Sequence, residues 1–370
     1  MTASPGSPGI RVAVVGGSGH TGGEACRLLL NHPAVAEIVP TSRTDDPFER
    51  VHPNLLGSGL EFVPVEEVVA AAARFDAVLL CTPSGEAMRL APLLLDAGTR
   101  VIDLSADFRF PDPERYRAAH DREHTAPGLL GEAVYGVTEF ARDRVRTARL
   151  VANPGCYAIT ALLGLAPLLG TGLARPDTPL HIAAVNGTTG AGVTPRTAIQ
   201  HAEVVGSLLP YNLAGHRHAP ELEERFAQLA GAPVAVDLST AHGDFARGIH
   251  IQASVQLRPG RRDGVSRESL LALYREHYGE GSSGEYFVRV NDQPSLGGPT
   301  DKDYGRFPHL AAVAGSNFVH IGLDHDARLG IARVVAVSDN LVKGAAGSAV
   351  QNLNVMLGLA ETDGLLGYGL

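Results

Sequence analysis

The sequence predicts an α/β protein: a doubly wound parallel sheet followed by an α+β domain. Three observations carry that reading. Up to about residue 155, short and almost wholly apolar runs alternate with helical stretches, which is how buried parallel strands joined by crossover helices read. A glycine-rich turn follows the first of those runs. Beyond residue 156 the runs alternate in polarity and often follow one another directly, as mixed or antiparallel strands do. The 370 residues suffice for two domains of ordinary size. We expect a disordered tail over 1–9, a first domain over 10–155 and a second over 156–335.

Ile10–Val15 reads as the first buried strand, and Gly16-Gly17-Ser18-Gly19-His20-Thr21-Gly22-Gly23 as the turn into a helix over Glu24–Leu30. Ala36–Pro40 is the second strand. Phe75–Cys81 and Arg100–Leu104 are two more, with a helical stretch from Ser84 to Ala97 between them that ends at Gly98. Leu150-Val151-Ala152 is strand-like and runs into Asn153-Pro154-Gly155, which stops a strand. Cys156 follows at once, then an apolar helix-like run from Thr160. In the second domain His181–Val185, Val234–Leu238 and Gly248–Val255 alternate in polarity, Ser266–Tyr278 reads as a helix, and a last helix spans about Val342 to Leu357.

Composition narrows the function. The chain is 44% hydrophobic with 43 glycines and 24 prolines, which suits a core linked by many tight turns. A net charge of −9 argues against nucleic acid and anionic membrane as main partners. It leaves room for a small anionic substrate, which needs only a local basic pocket. Three cysteines far apart in sequence make no disulfide framework and point to a reducing cytosol. The first residues lack the basic and apolar blocks of a signal peptide. No run of about 18 apolar residues predicts a membrane span.

Cys156 stands at the first turn of a predicted helix. Unpaired N–H groups and the positive end of the helix dipole lie there and lower a thiol pKa, which makes a thiolate nucleophile able to form a thioester. Cys26, within a helix, and Cys81, at a strand end, read as small core residues. Gly16-x-x-Gly19-x-x-Gly22 between a strand and a helix lets backbone approach a pyrophosphate and offers helix N–H donors to it. With Ser18, His20 and Thr21 it reads as the dinucleotide loop of a Rossmann domain; a ligand-free strand–helix turn is the plainer alternative. After the second strand stand Thr41-Ser42-Arg43, where an NAD site would place an acidic residue. Hydroxyls and a guanidinium suit a 2′-phosphate, hence NADP. His216-Arg217-His218 and Glu221 supply an acid-base pair and a cation for an anionic substrate. His-x-His with a glutamate also resembles a metal site, but no second ligand pair has matching spacing, so no metal is expected.

Together the motifs resemble the N-acetyl-γ-glutamyl-phosphate reductase family and its relative that reduces carrier-protein-linked aminoadipyl or glutamyl phosphate. Gly-Gly-Ser-Gly-His-Thr-Gly-Gly-Glu, Asp103-Leu104-Ser105-Ala106-Asp107-Phe108-Arg109, Asn153-Pro154-Gly155-Cys156-Tyr157, His216-Arg217-His218-x-Pro-Glu and Asp339-Asn340-Leu341-Val342-Lys343-Gly344 stand in that family's order. The resemblance implies a fold like aspartate-semialdehyde dehydrogenase, with the Rossmann domain completed by a C-terminal helix at about 340–358. It implies that Cys156 attacks an acyl phosphate, that NADPH reduces the thioester to a semialdehyde, and that His218 or His216 moves the proton. Cofactor contacts are then expected also from Pro83, Ser105 and Asn340, and substrate contacts from Arg109, Asn153, Gly187, Arg217 and Glu221. A homodimer or homotetramer is implied as well. One departure concerns the middle domain. Asn186-Gly187-Thr188-Thr189-Gly190-Ala191-Gly192-Val193 places a valine where the arginine-pathway enzymes carry an arginine, and this leaves a free or a carrier-linked substrate open. The spelling around Cys156 and His218 disfavours aspartate semialdehyde as substrate, and the intact thiol and histidine pair disfavour a non-catalytic NADP-binding protein.

Overall fold

The computed structural model describes residues 9–279, 284–294 and 302–369. Residues 1–8 of the expected tail lie outside the described residues. The chain divides into two compact units, residues 1–155 with 345–366, and residues 156–344 with 367–370.

The first unit runs β1 (Ile10–Val15), α1 (His20–Leu30), β2 (Val35–Pro40), α2 (Phe48–Val51), α3 (Val65–Ala70), β3 (Ala77–Leu80), α4 (Ala87–Asp96), β4 (Arg100–Asp103), α5 (Pro113–His120), β5 (Val134–Tyr135), α6 (Thr138–Thr147) and β6 (Leu150–Ala152). Its six strands are all parallel, in the order β2-β1-β3-β4-β6-β5. β1 pairs on one side with β2 and on the other with β3, so the strand order reverses beside β1. The carboxyl ends of the strands at such a switch point are where open α/β sheets take ligands, and the glycine turn leaves β1 there. The apolar runs are apolar throughout because both faces are covered. Val12 to Val14 and Ala77 to Leu80 are completely buried.

The second unit runs α7 (Cys156–Gly170), β7 (Leu180–Asn186), α8 (His201–Val204), β8 (Leu209–Tyr211), α9 (His218–Ala230), β9 (Val236–His242), β10 (Ile249–Gln256), α10 (Arg267–Tyr278), β11 (Val288–Asn291), β12 (Val319–Asp326) and β13 (Ile331–Ser338). Its sheet has the order β11-β12-β13-β10-β7-β9-β8 and is mixed, with β7 parallel to β9 and antiparallel to β10. The expected strand over Val234–Leu238 lies further along, at Val236–His242, where Val236 meets Leu180 of β7. The long expected helix at the C-terminal end is two pieces. Val342–Ala346 is a π-helical turn, and α11 (Gly347–Leu357) follows it within the first unit.

α11 is tied into the first unit by buried amides. Asn352 Nδ2 donates to the Gly136 carbonyl at 2.8 Å and to Asn153 Oδ1 at 3.1 Å, while its Oδ1 accepts from the Thr138 hydroxyl at 2.8 Å. Asn153 Nδ2 in turn donates to Ala345 O at 3.1 Å and to Ser348 Oγ at 2.9 Å. A buried polar group left without its partner costs about 1–3 kcal/mol. Asn352→Leu strands two such partners at once, the Gly136 carbonyl and the Thr138 hydroxyl, while Asn153 Oδ1 keeps the Ser348 hydroxyl at 3.1 Å. It should therefore lower stability by about 3 kcal/mol, read as a lower urea midpoint at unchanged slope; an unchanged midpoint would show that these bonds do not hold α11.

Candidate active site

The glycine turn of the first unit is shaped by what it cannot contain. Gly16 has φ +84°, and a Cβ there would lie 2.4 Å from the Cys81 carbonyl oxygen. A Cβ on Gly22 would lie 2.3 Å from Gly16 O and 2.7 Å from Gly17 Cα. The turn is held from outside: Gly17 N donates to Thr41 O at 2.8 Å, and His52 Nε2 bonds Gly17 O at 2.7 Å. Gly19 is the N-cap of α1 and offers no side chain to its first N–H groups, which leaves them for an anion. Ser18, His20 and Thr21 are half-buried around the turn. Past β2, Ser42 and exposed Arg43 line a pocket of about 670 Å³ with Thr44, Phe48, Glu61 and Phe62. Asp46, which also lines it, is paired with Arg50 at 3.3 Å. The cradle and the cation fit a phosphorylated dinucleotide.

The Asp103–Arg109 segment organises the neighbouring strand ends. Asp103 accepts from Ser105 N at 2.8 Å and from the Ser105 hydroxyl at 2.9 Å. Its carboxyl is pushed up to about 7 by burial and then by the nearby Asp107. Asp107 accepts from Gly85 N at 2.8 Å, Met88 N at 3.1 Å and Tyr116 Oη at 2.8 Å. That holds the Pro83–Glu86 turn ahead of α4, so the helix starts at Ala87 rather than at the expected Ser84, and Pro83 stays exposed. Arg109 is buried, with Nε donating to Asn153 O and Nη2 to Leu104 O, both at 2.9 Å. The Ser105, Arg109 and Asn153 side chains are thus engaged within the first unit.

Cys156 is the first residue of α7 and half-buried. Its backbone is seated against Gly344, where a Cβ would fall 2.8 Å from Cys156 Cβ. Tyr157, the next residue, belongs to a cluster of rings. The Tyr157 and Tyr211 hydroxyls are 2.9 Å apart. The Tyr157 ring meets His216 and His218 edge-on at 5.4 and 5.7 Å, and those two rings are 4.9 Å apart. Tyr211 stacks on His242 at 4.6 Å. The two expected histidines therefore come together, at the start of α9, a helix not expected from the sequence. The Leu222–Phe226 spacing and Gly231 at φ +66° as its C-cap are the signals for that helix. Arg217, its N-cap residue, is exposed, and Glu221 is buried. Tyr211, His242 and Asn186 were not singled out in sequence, because only strand pairing brings β7, β8 and β9 together.

The two histidines are not equivalent. His216 Nδ1 accepts from the His218 backbone N–H at 3.2 Å, so the neutral ring carries its proton on Nε2. Burial first and the Arg217 charge second bring His216 down to about 4. Asn340, expected at the cofactor, has both amide atoms engaged in the second unit: Oδ1 accepts from Gly248 N at 2.7 Å and Nδ2 donates to Thr189 Oγ1 at 2.9 Å. Gly187 belongs to the same construction. Its N–H donates to Gly248 O at 2.8 Å, and a Cβ would lie 2.4 Å from Ala246 O.

With this geometry in view, the kinship is plain. Residues 11–148 match the family described as semialdehyde dehydrogenase, NAD binding domain, and residues 156–340 match the semialdehyde dehydrogenase dimerisation domain. The N-acetyl-gamma-glutamyl-phosphate reductase of Symbiobacterium thermophilum is 40% identical over 97% of this chain and 98% of its own. The chain belongs to the N-acetyl-γ-glutamyl-phosphate reductase family. The enzyme of that name from Thiobacillus denitrificans is likewise 40% identical, over 98% of this chain and 99% of its own. Among solved structures, aspartate semialdehyde dehydrogenase II from Vibrio cholerae superposes with a TM-score of 0.66 at 18% identity, covering 95% of this chain and 99% of that one. The aspartate semialdehyde dehydrogenase with NADP from Candida albicans does so with 0.59 at 14%, covering 94% and 98%. These two likenesses establish the expected fold.

His216 carries a consequence for acid stability. Between about 4 and 6.5 the unfolded chain binds a proton at this ring that the folded chain does not, so stability rises with pH across that window and is lost toward acid. His216→Gln should flatten the rise by about 3 kcal/mol. Equal acid sensitivity of the two proteins in urea titrations at pH 4.5 and 7 would refute the assignment.

Proposed function

We propose that this chain is an NADPH-dependent N-acetyl-γ-glutamyl-phosphate reductase that converts the acyl phosphate to the semialdehyde through a thioester on Cys156. The observation that carries the reading is the thiol at the first residue of α7, next to Tyr157, whose ring meets His216 and His218, in a chain 40% identical over 97–98% of its length to enzymes of that name. That name favours the free acetylated substrate over a carrier-linked one. Val193, more than half exposed, offers no charge to the substrate, so the cation for its anionic end is assigned to Arg217. Arg109 and Asn153, engaged with backbone and with α11, act by positioning the turn that ends at Gly155. Such an enzyme works as a homodimer or homotetramer.

The reaction balances as acyl phosphate, NADPH and one proton giving aldehyde, NADP⁺ and hydrogen phosphate. The Cys156 thiolate adds to the acyl carbon, and the C–O bond to phosphate breaks, leaving the thioester. When bound, NADPH would supply the hydride for the thioester carbon; Gly16, Gly19 and Gly22 would hold its pyrophosphate, and Ser42 and Arg43 its 2′-phosphate. His218 gives the one proton consumed to the departing phosphate oxygen, because His216 stays neutral at working pH and serves as an N–H donor through Nε2. When the C–S bond breaks, the aldehyde leaves and the thiolate is regenerated.

The test is the reverse reaction, NADP⁺ reduction with phosphate and N-acetylglutamate semialdehyde. Turnover is expected, and Cys156→Ser should abolish it while NADP⁺ binding is retained. Retained turnover in the serine variant would mean that another group is the nucleophile. Arg43→Asp should raise the Kd for NADP⁺ at least tenfold more than that for NAD⁺, since only the 2′-phosphate meets the guanidinium. An equal effect on both would remove Arg43 from the 2′-phosphate site.

A further inference from the structure

We infer that Asn186 is a catalytic residue: its side-chain amide holds the oxyanion that forms when the Cys156 adduct is tetrahedral. The inference rests on the thioester reading above and assigns it a group that reading does not use. Asn186 is the last residue of β7, placed by pairing with Ile249 on one side and His242 on the other. Its Nδ2 lies 4.0 Å from Cys156 Sγ, and the side chain is 2% exposed. The amide also contacts the Tyr157 hydroxyl, which in turn bonds Tyr211, so it is tied to that pair of hydroxyls. Its Oδ1 is buried with no hydrogen-bond partner. A buried amide with an unmatched end is a standing cost, tolerated where the group has work to do.

The surroundings are built for this amide. A Cβ on Gly190 would fall 2.0 Å from Asn186 Nδ2, so the turn after β7 has glycine where the amide must pass. That turn is clamped in place by Thr189, which donates to Ala246 O at 2.6 Å and accepts from Asn340. The chemistry needs a donor here twice. When the thiolate adds to the acyl carbon, the carbonyl π pair moves onto oxygen. When hydride adds to the thioester carbon, a pair moves onto the same oxygen again. In both cases the negative oxygen is one bond from a carbon attached to Sγ. A donor 4.0 Å from that sulfur is within reach of it at the roughly 3 Å separation an oxyanion donor requires. The pair returns to carbon as phosphate leaves in the first step and as the C–S bond breaks in the second, so no proton need be given to the oxygen at all.

The experiment compares wild type with Asn186→Ala, Asn186→Asp and Gly190→Ala. The readouts are kcat and KM for N-acetylglutamyl phosphate, the rate of Cys156 alkylation by iodoacetamide, and the Kd for NADP⁺. Loss of one oxyanion donor costs about 100-fold in kcat. Asn186→Ala should show that loss with KM within threefold and with alkylation and NADP⁺ binding unchanged. Asn186→Asp keeps the shape and sets a negative charge against the oxyanion, so it should lose more. Gly190→Ala should reproduce the loss by displacing the amide while Asn186 remains. A kcat within threefold of wild type in Asn186→Ala overturns the inference, and so does a loss confined to KM, which would make Asn186 a binding residue. Slowed alkylation in step with kcat overturns it too, because the amide would then be serving the thiolate. If the alanine variant melts below the assay temperature, Gly190→Ala decides on the same criteria and Asn186→Asp on kcat and KM alone. Failure of wild type to turn over the acyl phosphate is a failure of the functional reading instead, and the wild-type control separates the two.

Discussion

The second unit is organised around one buried charge. The Asp339 carboxylate is completely buried, and such a group is tolerable only when donors replace its hydration. It has them: Arg247 Nε at 2.9 Å, Gly315 N at 2.7 Å, Leu341 N at 2.8 Å and Val342 N at 3.0 Å. The last two fix the start of the π-helical turn over Val342–Ala346. Gly344 lies in that turn, and Cys156 is seated on it. The next residue, Asn340, fastens the Gly248 amide and the Thr189 hydroxyl, and so holds the turn beside Asn186. Thiol, amide and the turn between them are therefore referred to a single ion pair. The irregular helix has a physical cause here: a regular α-turn would not satisfy the carboxylate and seat Cys156 on a glycine at the same register.

The first unit solves a similar problem with two carboxylates and a guanidinium. Asp103 orders its own loop through Ser105, Asp107 ends on the amides ahead of α4, and Arg109 reaches the carbonyl of Asn153. Three loops at the carboxyl edge of the sheet are thus stitched by one seven-residue segment. Its spelling looked like a binding motif because it is dense in charge. The charges face inward, and the work they do is to keep loop backbones in place, among them the turn ahead of α4 and the start of the Asn-Pro-Gly turn.

How much of this was legible in sequence follows from how local each signal is. The parallel sheet was legible because strands buried on both faces are apolar at every position, as Ala77-Val78-Leu79-Leu80 is. The Cys156 helix start was legible because Asn-Pro-Gly is a strong stop. The glycine turn was legible by spacing, but the histidine that closes it, His52, is 35 residues away and carries no mark of its own. The hairpin of β12 and β13 was passed over. The helix at His218–Ala230 was hidden behind its polar first turn. The residues around the thiol were least legible. Asn186, Tyr211 and His242 lie on three strands whose order β7-β9-β8 is not their order in the chain, so only the sheet brings them together.

The three cysteines show what singles out a nucleophile when residue type does not. Cys26 lies inside α1 with no exposed surface, and burial pushes its thiol up to about 12. Cys81 follows β3, and burial pushes it up too, with Cys26 and Asp103 adding to the effect. In both places a thiolate would have to give up water and gain nothing in return, which keeps the sulfur inert. Cys156 differs from Cys26 in being half-buried and from both in what faces it. It opens a helix of 15 residues, so the free N–H groups of the first turn are beside it. An amide N–H points at its sulfur from β7. The helix N–H groups favour negative charge on sulfur, and the Asn186 amide is placed to favour it on an oxygen one bond further out. On the proposed mechanism, a site that suits the thiolate would thus already be arranged for its adduct, and the path from one to the other would ask for no rearrangement of the protein's dipoles.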